Sequence, residues 1–165
     1  MAETITASKP NTLPITVVGK QLLEDEVKRL LSVERPSVVR AIEEARAQGD
    51  LSENAEYSAA KERQSFIEGR IQYINGVLAA AEVIDPSRLR YEHIVFGATV
   101  EVMDAESEVK TKYQIVGVDE ADIKKGKLSI QAPLARALIG KRPGDEISVK
   151  TPRGDTSYEI LSVQY

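Results

Sequence analysis

The chain has no cysteine, no tryptophan and only one histidine, His93, among its 165 residues. Lack of cysteine excludes disulfides and thiolate metal sites. A lone histidine argues against a His-based zinc centre and against a Ser-His-Asp triad. Positive charge is also in short supply: 22 Lys and Arg stand against 26 Asp and Glu, a formal charge of −4. A protein that gripped duplex DNA with its whole surface would carry a basic excess, so any nucleic-acid contact should be local. No apolar run approaches the ~20 residues of a membrane span. Residues 1–14 lack the charged-then-apolar order of a signal peptide, so the expectation is a cytoplasmic protein with no membrane contact. What the chain does hold is a 42% share of hydrophobic residues, enough for a core, and a 29% share of charged ones, as in long solvated helices.

The two halves differ in period. Between about Gly19 and Ala81 the pattern is helical. Ile67, Ile71, Ile74, Leu78 and Ala81 recur at alternating spacings of four and three, the seam of a coiled coil. Backward, the same register passes through Gln64, Ala60, Tyr57 and Glu53 and turns polar. The earlier helix carries Leu23, Val27, Leu30 and Leu31, then Val38, Ile42 and Ala45, with a slip around Pro36, which should kink or end it near Arg35. A short break at Gln48-Gly49-Asp50 makes the two helices antiparallel neighbours. The second helix, about Leu51 to Glu82, would be roughly 45 Å long and should project from so small a protein. From about Ile94 the period becomes two, punctuated by Gly97, Lys125-Gly126, Pro143-Gly144 and Arg153-Gly154. One short helix fits Pro133 to Ile139, with Gly140 past its end. The expected class is α plus α+β. It comprises a tail (1–13), an antiparallel coiled-coil hairpin (14–84), a linker (85–93) and an antiparallel sheet with one short helix (94–165).

The segment joining the helices is acidic. Asp50 and Glu53 stand three apart at a helix start, which fits an N-cap and third-position pair that complements the helix dipole. Residues i and i+3 also share a helix face, so the two carboxylates could give oxygens to one Mg²⁺. Alone they would bind it weakly; brought to a site already holding a metal and a phosphodiester, they could help place a second ion. Spacing by itself favours capping. Arg46, Lys61 and Arg63 lie within a few turns of this tip, either as solvated charges or as a patch for a single-stranded RNA end.

The run Gly49 to Tyr57, G-D-L-S-E-N-A-E-Y, resembles the tip signature of the bacterial Gre transcript-cleavage factors. The likeness continues through Ala59-Ala60-Lys61-Glu62, Glu68-Gly69-Arg70-Ile71, Phe96-Gly97-Ala98-Thr99-Val100, Asp119-Glu120-Ala121-Asp122 and Pro133 to Lys141, and spans about residues 14–165. Its modest basic patch is similar to the family's A-type branch.

The resemblance implies an accessory factor with no nuclease activity of its own. Its hairpin enters the secondary channel of RNA polymerase. Asp50 and Glu53 would help hold a Mg²⁺ shared with the polymerase, with no cofactor bound tightly to the factor itself. The polymerase then cleaves the 3′ end of backtracked nascent RNA, rescuing arrested complexes. Arg46 and Lys61 match the family's RNA-contacting side chains. The second half would be FKBP-like and dock on a coiled coil at the channel rim through Ser129, Gln131 and Pro133, the protein acting as a monomer. The family's docking loop usually reads Ser, aliphatic, Asn/Asp/Ser, Ser, Pro; here Gln131 and Ala132 occupy the third and fourth places. The likeness also favours a kink at Pro36 over a break.

Two rival readings stand beside this one. A channel-blocking inhibitor of the same shape would carry a tip altered from D-x-x-E, which this chain retains. A peptidyl-prolyl isomerase would need an aromatic-lined pocket, and the second half offers only Phe96, Tyr91, Tyr113, Tyr158 and Tyr165.

Overall fold

A computed structural model describes residues 12–50 and 54–165, and the chain divides into two units. One is Lys20–Ala81; the other joins the segment ending at Gly19 to Glu82–Tyr165.

The first unit is helical. Helix α1 (Val17–Arg29) runs into a π-helical segment, Leu30–Glu34, and then without a break into α2 (Arg35–Ala47). Pro36 explains the segment. Proline has no N–H to donate and crowds the preceding turn. The backbone widens by one residue just ahead of it, and the Arg35 N–H bonds the Leu30 carbonyl. The extra residue rotates the apolar register. Leu30 is buried, whereas Leu31, expected on the seam, is exposed, as is Val33. Val38, Ile42 and Ala45 then restore the buried face.

Helix α3 (Ala55–Ala80) follows and is shorter than the expected 51–82. It buries Ala60, Ile67, Ile71, Ile74 and Val77; Leu78, expected on the seam, is half-buried beside Val77. Arginine–carboxylate pairs set its direction against α1 and α2. Arg70 grips Glu26 through two bonds of 2.7 and 2.9 Å. Arg35 grips Glu68 at 2.7 and 2.8 Å, and Arg63 reaches Glu34 at 2.7 Å. Glu26 meets Arg70, Arg35 meets Glu68 and Ala45 meets Asn54, so partner numbers fall on one side as they rise on the other and the helices run antiparallel.

The second unit opens with strand β1 (Leu13–Thr16), which pairs with β2 (Ala81–Ile84), where the spacing predicts a continuing helix. Thr16 is 3% exposed and its hydroxyl accepts the Gly19 N–H, capping α1. Glu120 closes this corner: its carboxylate accepts the Thr16 hydroxyl, the Thr16 N–H at 3.0 Å and the Gly117 N–H at 2.8 Å. It packs so tightly that a Cβ on Gly19 would fall 2.1 Å from it, which is why that position is glycine.

The sheet has the order β5-β4-β3-β7-β6, from β3 (Thr99–Asp104), β4 (Lys110–Val116), β5 (Lys127–Ser129), β6 (Glu146–Thr151) and β7 (Gly154–Gln164). It is mixed and curled, not wholly antiparallel as expected, because β4 and β5 pair in parallel. Residues 117–126 between them form two short 3₁₀ turns, the second capped by Asp122, and so bring the chain back in its original direction. A tight hairpin cannot do this. Alternate residues, among them Val100, Val102, Ile115, Ile147 and Ile160, face a core covered by Ala135 and Leu138 of α4 (Pro133–Leu138).

The Arg70 and Arg35 guanidiniums hydrogen-bond Glu26 and Glu68 and hold both carboxyls below the usual carboxylate value of 4.5. Such groups stabilise the fold above their unfolded pKa, and that contribution is lost as pH falls through the lower folded value. Thermal unfolding between neutral pH and pH ~3 should therefore show a smaller acid destabilisation in Glu26→Gln/Glu68→Gln than in the parent. Equal slopes would show that the pairs contribute nothing.

Candidate functional site

Helix α2 ends by bonds from the Gln48 N–H to the Ala45 carbonyl, 3.2 Å, and from the Gly49 N–H to the Arg46 carbonyl, 3.5 Å. Gly49 then takes φ +118°, which residues with a Cβ rarely adopt. Asp50 follows directly, exposed and outside any helix. Leu51, Ser52 and Glu53 lie outside the described residues, so the placement of Glu53 is not part of this geometry.

Asp50 does not cap α3. The cap is Asn54, with φ −86° and ψ 100°, whose side-chain oxygen accepts the Tyr57 N–H at 3.0 Å. Its amide nitrogen donates back to the Ala45 carbonyl at 2.7 Å. One side chain thus starts α3 and gives the Ala45 carbonyl, which already accepts the Gln48 N–H, a second and shorter bond. Asp50 itself lies ahead of α3, which begins at Ala55. Capping, which competed with a metal role for these carboxylates, is Asn54's task. Asparagine is a favoured N-cap residue type, so this signal was present, but the acidic pair matched the capping-box spacing more closely.

Around the turn, the Arg46 guanidinium lies 5.9 Å from the centroid of the Tyr57 ring. Tyr57, expected as a seam or packing residue, is half-buried and serves as its platform. Lys61 is exposed and its ammonium meets Gln64 at 3.1 Å. Arg63, the third basic residue near the tip, is drawn to Glu34. Among the described residues no three His, Cys, Asp or Glu side chains gather as a metal cage. Asp50 supplies oxygen of the kind Mg²⁺ takes, and one or two such ligands suffice only where phosphates, water or another protein complete the shell.

The other candidate surface is in the sheet unit. Ser129 ends β5, and its hydroxyl accepts the Gln131 N–H at 3.2 Å while its carbonyl accepts the Ala132 N–H at 2.9 Å. Gln131 and Pro133 are exposed. Pro133 opens α4, and Ala132 sits at its N-cap with no side-chain cap bond. The departure from the family pattern at Ala132 therefore has a local cost: a serine there would cap the helix.

Family models bear on both regions. One described as transcription elongation factor, N-terminal, matches residues 13–83, and one described as transcription elongation factor, GreA/GreB, C-terminal, matches residues 90–165. The chain is 59% identical over 152 residues to transcription elongation factor GreA of Acidiphilium cryptum, covering 92% of this chain and 97% of that one. It is 58% identical over 156 residues to GreA of Ralstonia nicotianae, covering 94% and 99%. Among solved structures, the GreA factor homolog 1 of Thermus thermophilus aligns at TM-score 0.43 and 24% identity, covering 93% of this chain and 99% of that one. A GreA/GreB factor from Nitrosomonas europaea aligns at 0.41 and 23%, covering 93% and 100%.

Two substitutions test the local geometry. Asn54→Ala should cost about 1–2 kcal/mol of stability in the helical unit and speed amide exchange in the first turn of α3. An unchanged unfolding midpoint and exchange rate would overturn the role given to Asn54. Ala132→Ser should raise stability by about 0.5–1 kcal/mol in chemical denaturation through a new cap on α4. No gain would mean that the loop conformation does not admit the cap.

Proposed function

Since the chain belongs to the GreA/GreB family of transcription elongation factors, we propose that Asp50 and Glu53 act as carboxylates lent to the active site of bacterial RNA polymerase. The protein is a transcription elongation factor of the kind that stimulates transcript cleavage. The observation that carries the site assignment is Asp50 itself. It is exposed immediately after a left-handed glycine, at the end of a helix pair whose two strands are tied together at Asn54 and Ala45.

In this reading the helical unit is an antiparallel coiled-coil hairpin that enters the polymerase secondary channel. Asp50 and Glu53 offer oxygens at its tip to an ion shared with the polymerase. That Mg²⁺, when bound, supplies charge stabilisation for hydrolysis of the RNA phosphodiester. Arg46, steadied over Tyr57, and Lys61 hold phosphates of the extruded 3′ end by charge. The factor contributes positioning and charge, while the bond is broken by the polymerase. The C-terminal unit is FKBP-like and docks at the rim of the channel through Ser129, Gln131 and Pro133. The protein works as a cytoplasmic monomer and needs no tightly bound cofactor.

A channel blocker is not favoured, because the D-x-x-E pair is intact. Nor is a prolyl isomerase: Phe96, Tyr113, Tyr158 and Tyr165 pack against the core of the sheet unit.

The decisive experiment uses stalled, backtracked elongation complexes. Asp50→Ala/Glu53→Ala should lower stimulated RNA cleavage by roughly a hundredfold, the rate equivalent of a few kcal/mol of lost charge stabilisation, with polymerase binding preserved. Undiminished cleavage would refute the tip assignment. Slowed nucleotide addition without cleavage by the parent protein would instead support a blocker.

A further inference from the structure

One face of α3 is exposed and yet built like a seam. Phe66, at 71% the most exposed large apolar side chain among the described residues, and Tyr73, at 49%, stand seven residues apart on it. Gly69 and Gly76 each follow a ring by three residues, so positions 66, 69, 73 and 76 alternate in spacings of three and four. The buried ladder of Ile67, Ile71, Ile74 and Val77 lies on a different face. Neither glycine serves the fold around it. A Cβ at either position would meet nothing within 4 Å, and neither has a positive φ that would disfavour other residues. After proline, glycine is the least favourable residue in a helix interior. Two of them in open space, in line with two exposed rings, leave room for something from outside.

The face also lacks charge. Residues 71–81 hold no Asp, Glu, Lys or Arg, on a chain of which 29% is charged. Helical spacing puts Ser65, Gln72 and Ala79 on one flank. On the other are Arg63 and Arg70, whose guanidiniums are engaged by Glu34 and Glu26. The Arg70 guanidinium also lies 5.5 Å from the centroid of the Tyr73 ring and steadies it. The outer face of a surface helix is ordinarily charged. An oppositely charged partner would need charges here to meet. An uncharged face suits a partner of the same net charge, and a second copy of a chain of charge −4 is such a partner.

We propose that α3 pairs through this face with α3 of a second copy, antiparallel about a two-fold axis. The spacing is self-complementary, as a two-fold contact requires. With the axis beside residue 71, Phe66 of each copy faces Gly76 of the other, and Tyr73 faces Gly69, so every ring enters the gap over a glycine. Arg70 then faces Gln72, and Glu62 faces Ala80, so no like charges oppose each other. A parallel pair would set ring against ring and glycine against glycine, leaving voids. A buried Phe or Tyr accounts for about 150–250 Å², so four rings at these exposures offer roughly 500 Å². The rest of the face brings the contact near the ~1,000 Å² at which specific interfaces begin. The pair is therefore weak and reversible, a form of the free protein. Under the reading proposed above, the copies separate before either enters the polymerase, so self-association limits the supply of working monomer by mass action.

Sedimentation equilibrium of the full chain tests the pairing without polymerase, so its failure leaves the cleavage reading untouched. The parent should pass from monomer to dimer with a Kd of tens of micromolar, roughly, and added salt should leave the dimer unchanged or tighten it. Gly69→Gln/Gly76→Gln fills both gaps and should weaken the dimer at least about tenfold, while melting of the dilute protein stays level or rises, because glutamine is the better helix former. Phe66→Gln should give a similar loss. Val33→Gln and Val109→Gln, which remove exposed valines elsewhere, should stay within about twofold of the parent. The chain has no cysteine, so a nitroxide on Ala79→Cys is unique. Electron-spin distance measurement should place two labels on the order of 25 Å apart in the antiparallel pair, against about 10 Å in a parallel one. A parent that stays monomeric at about 1 mM would overturn the proposal. So would a dimer that survives the glycine substitutions, weakens with salt, loses as much in the valine variants or shows the short label distance. A monomeric parent whose glycine variant loses binding to core polymerase would assign the face to polymerase instead.

Discussion

The helical unit depends on register. Its apolar seam is narrow, with Val38, Ile42 and Ala45 on one side and Ala60, Ile67, Ile71 and Ile74 on the other. Such a seam tolerates sliding by a turn, since one isoleucine replaces another at little cost. Charged partners do not slide. Arg70 with Glu26 and Arg35 with Glu68 are two-pronged pairs that work at a single alignment. Partly exposed pairs of this kind add little to overall stability, and their value lies in choosing one alignment among near-equals. That alignment places Ala45 opposite Asn54, and the Asn54 bridge then determines where Gly49 turns and where Asp50 emerges.

The π-helical segment belongs to the same problem. A proline within a continuous helix must shed a hydrogen bond and relieve a clash. Here the backbone adds a residue before Pro36, which exposes Leu31 and Val33 and brings Val38 back to the buried side. The residue that interrupts the pattern in sequence therefore restores its phase in space, so that the seams of α1 and α2 face the same partner.

The legible and illegible parts of the sequence separate along physical lines. Periodic burial was legible: the isoleucine ladder of α3, the change to period two after residue 94 and the proline-started helix at Pro133 all occur where the spacing placed them. Non-local pairing was not. Nothing in Leu13–Thr16 announces that it will pair with Ala81–Ile84, and nothing in the turns at 117–126 announces a parallel return. Both depend on packing between segments distant along the chain. Capping failed for a different reason. Asp50 and Asn54 are both good cap residues, and only the backbone angles decide between them. Glu120 was noticed as part of a motif, but its bonds to Thr16 and Gly117 follow from packing that no local pattern encodes.

The pairing of β1 with β2 has a consequence for how the chain can change. The unit containing the sheet is discontinuous, interrupted after Gly19 and resumed at Glu82, and the strands on either side of the interruption are bonded to each other. The helices are thus an insertion into a closed doorway whose jambs are held by the sheet unit itself, with Glu120 bolting one of them through Thr16. Such an insertion can be lengthened, re-tipped or exchanged by recombination without asking the sheet unit to refold. Diversification of the tip can therefore proceed separately from that of the surfaces on the sheet.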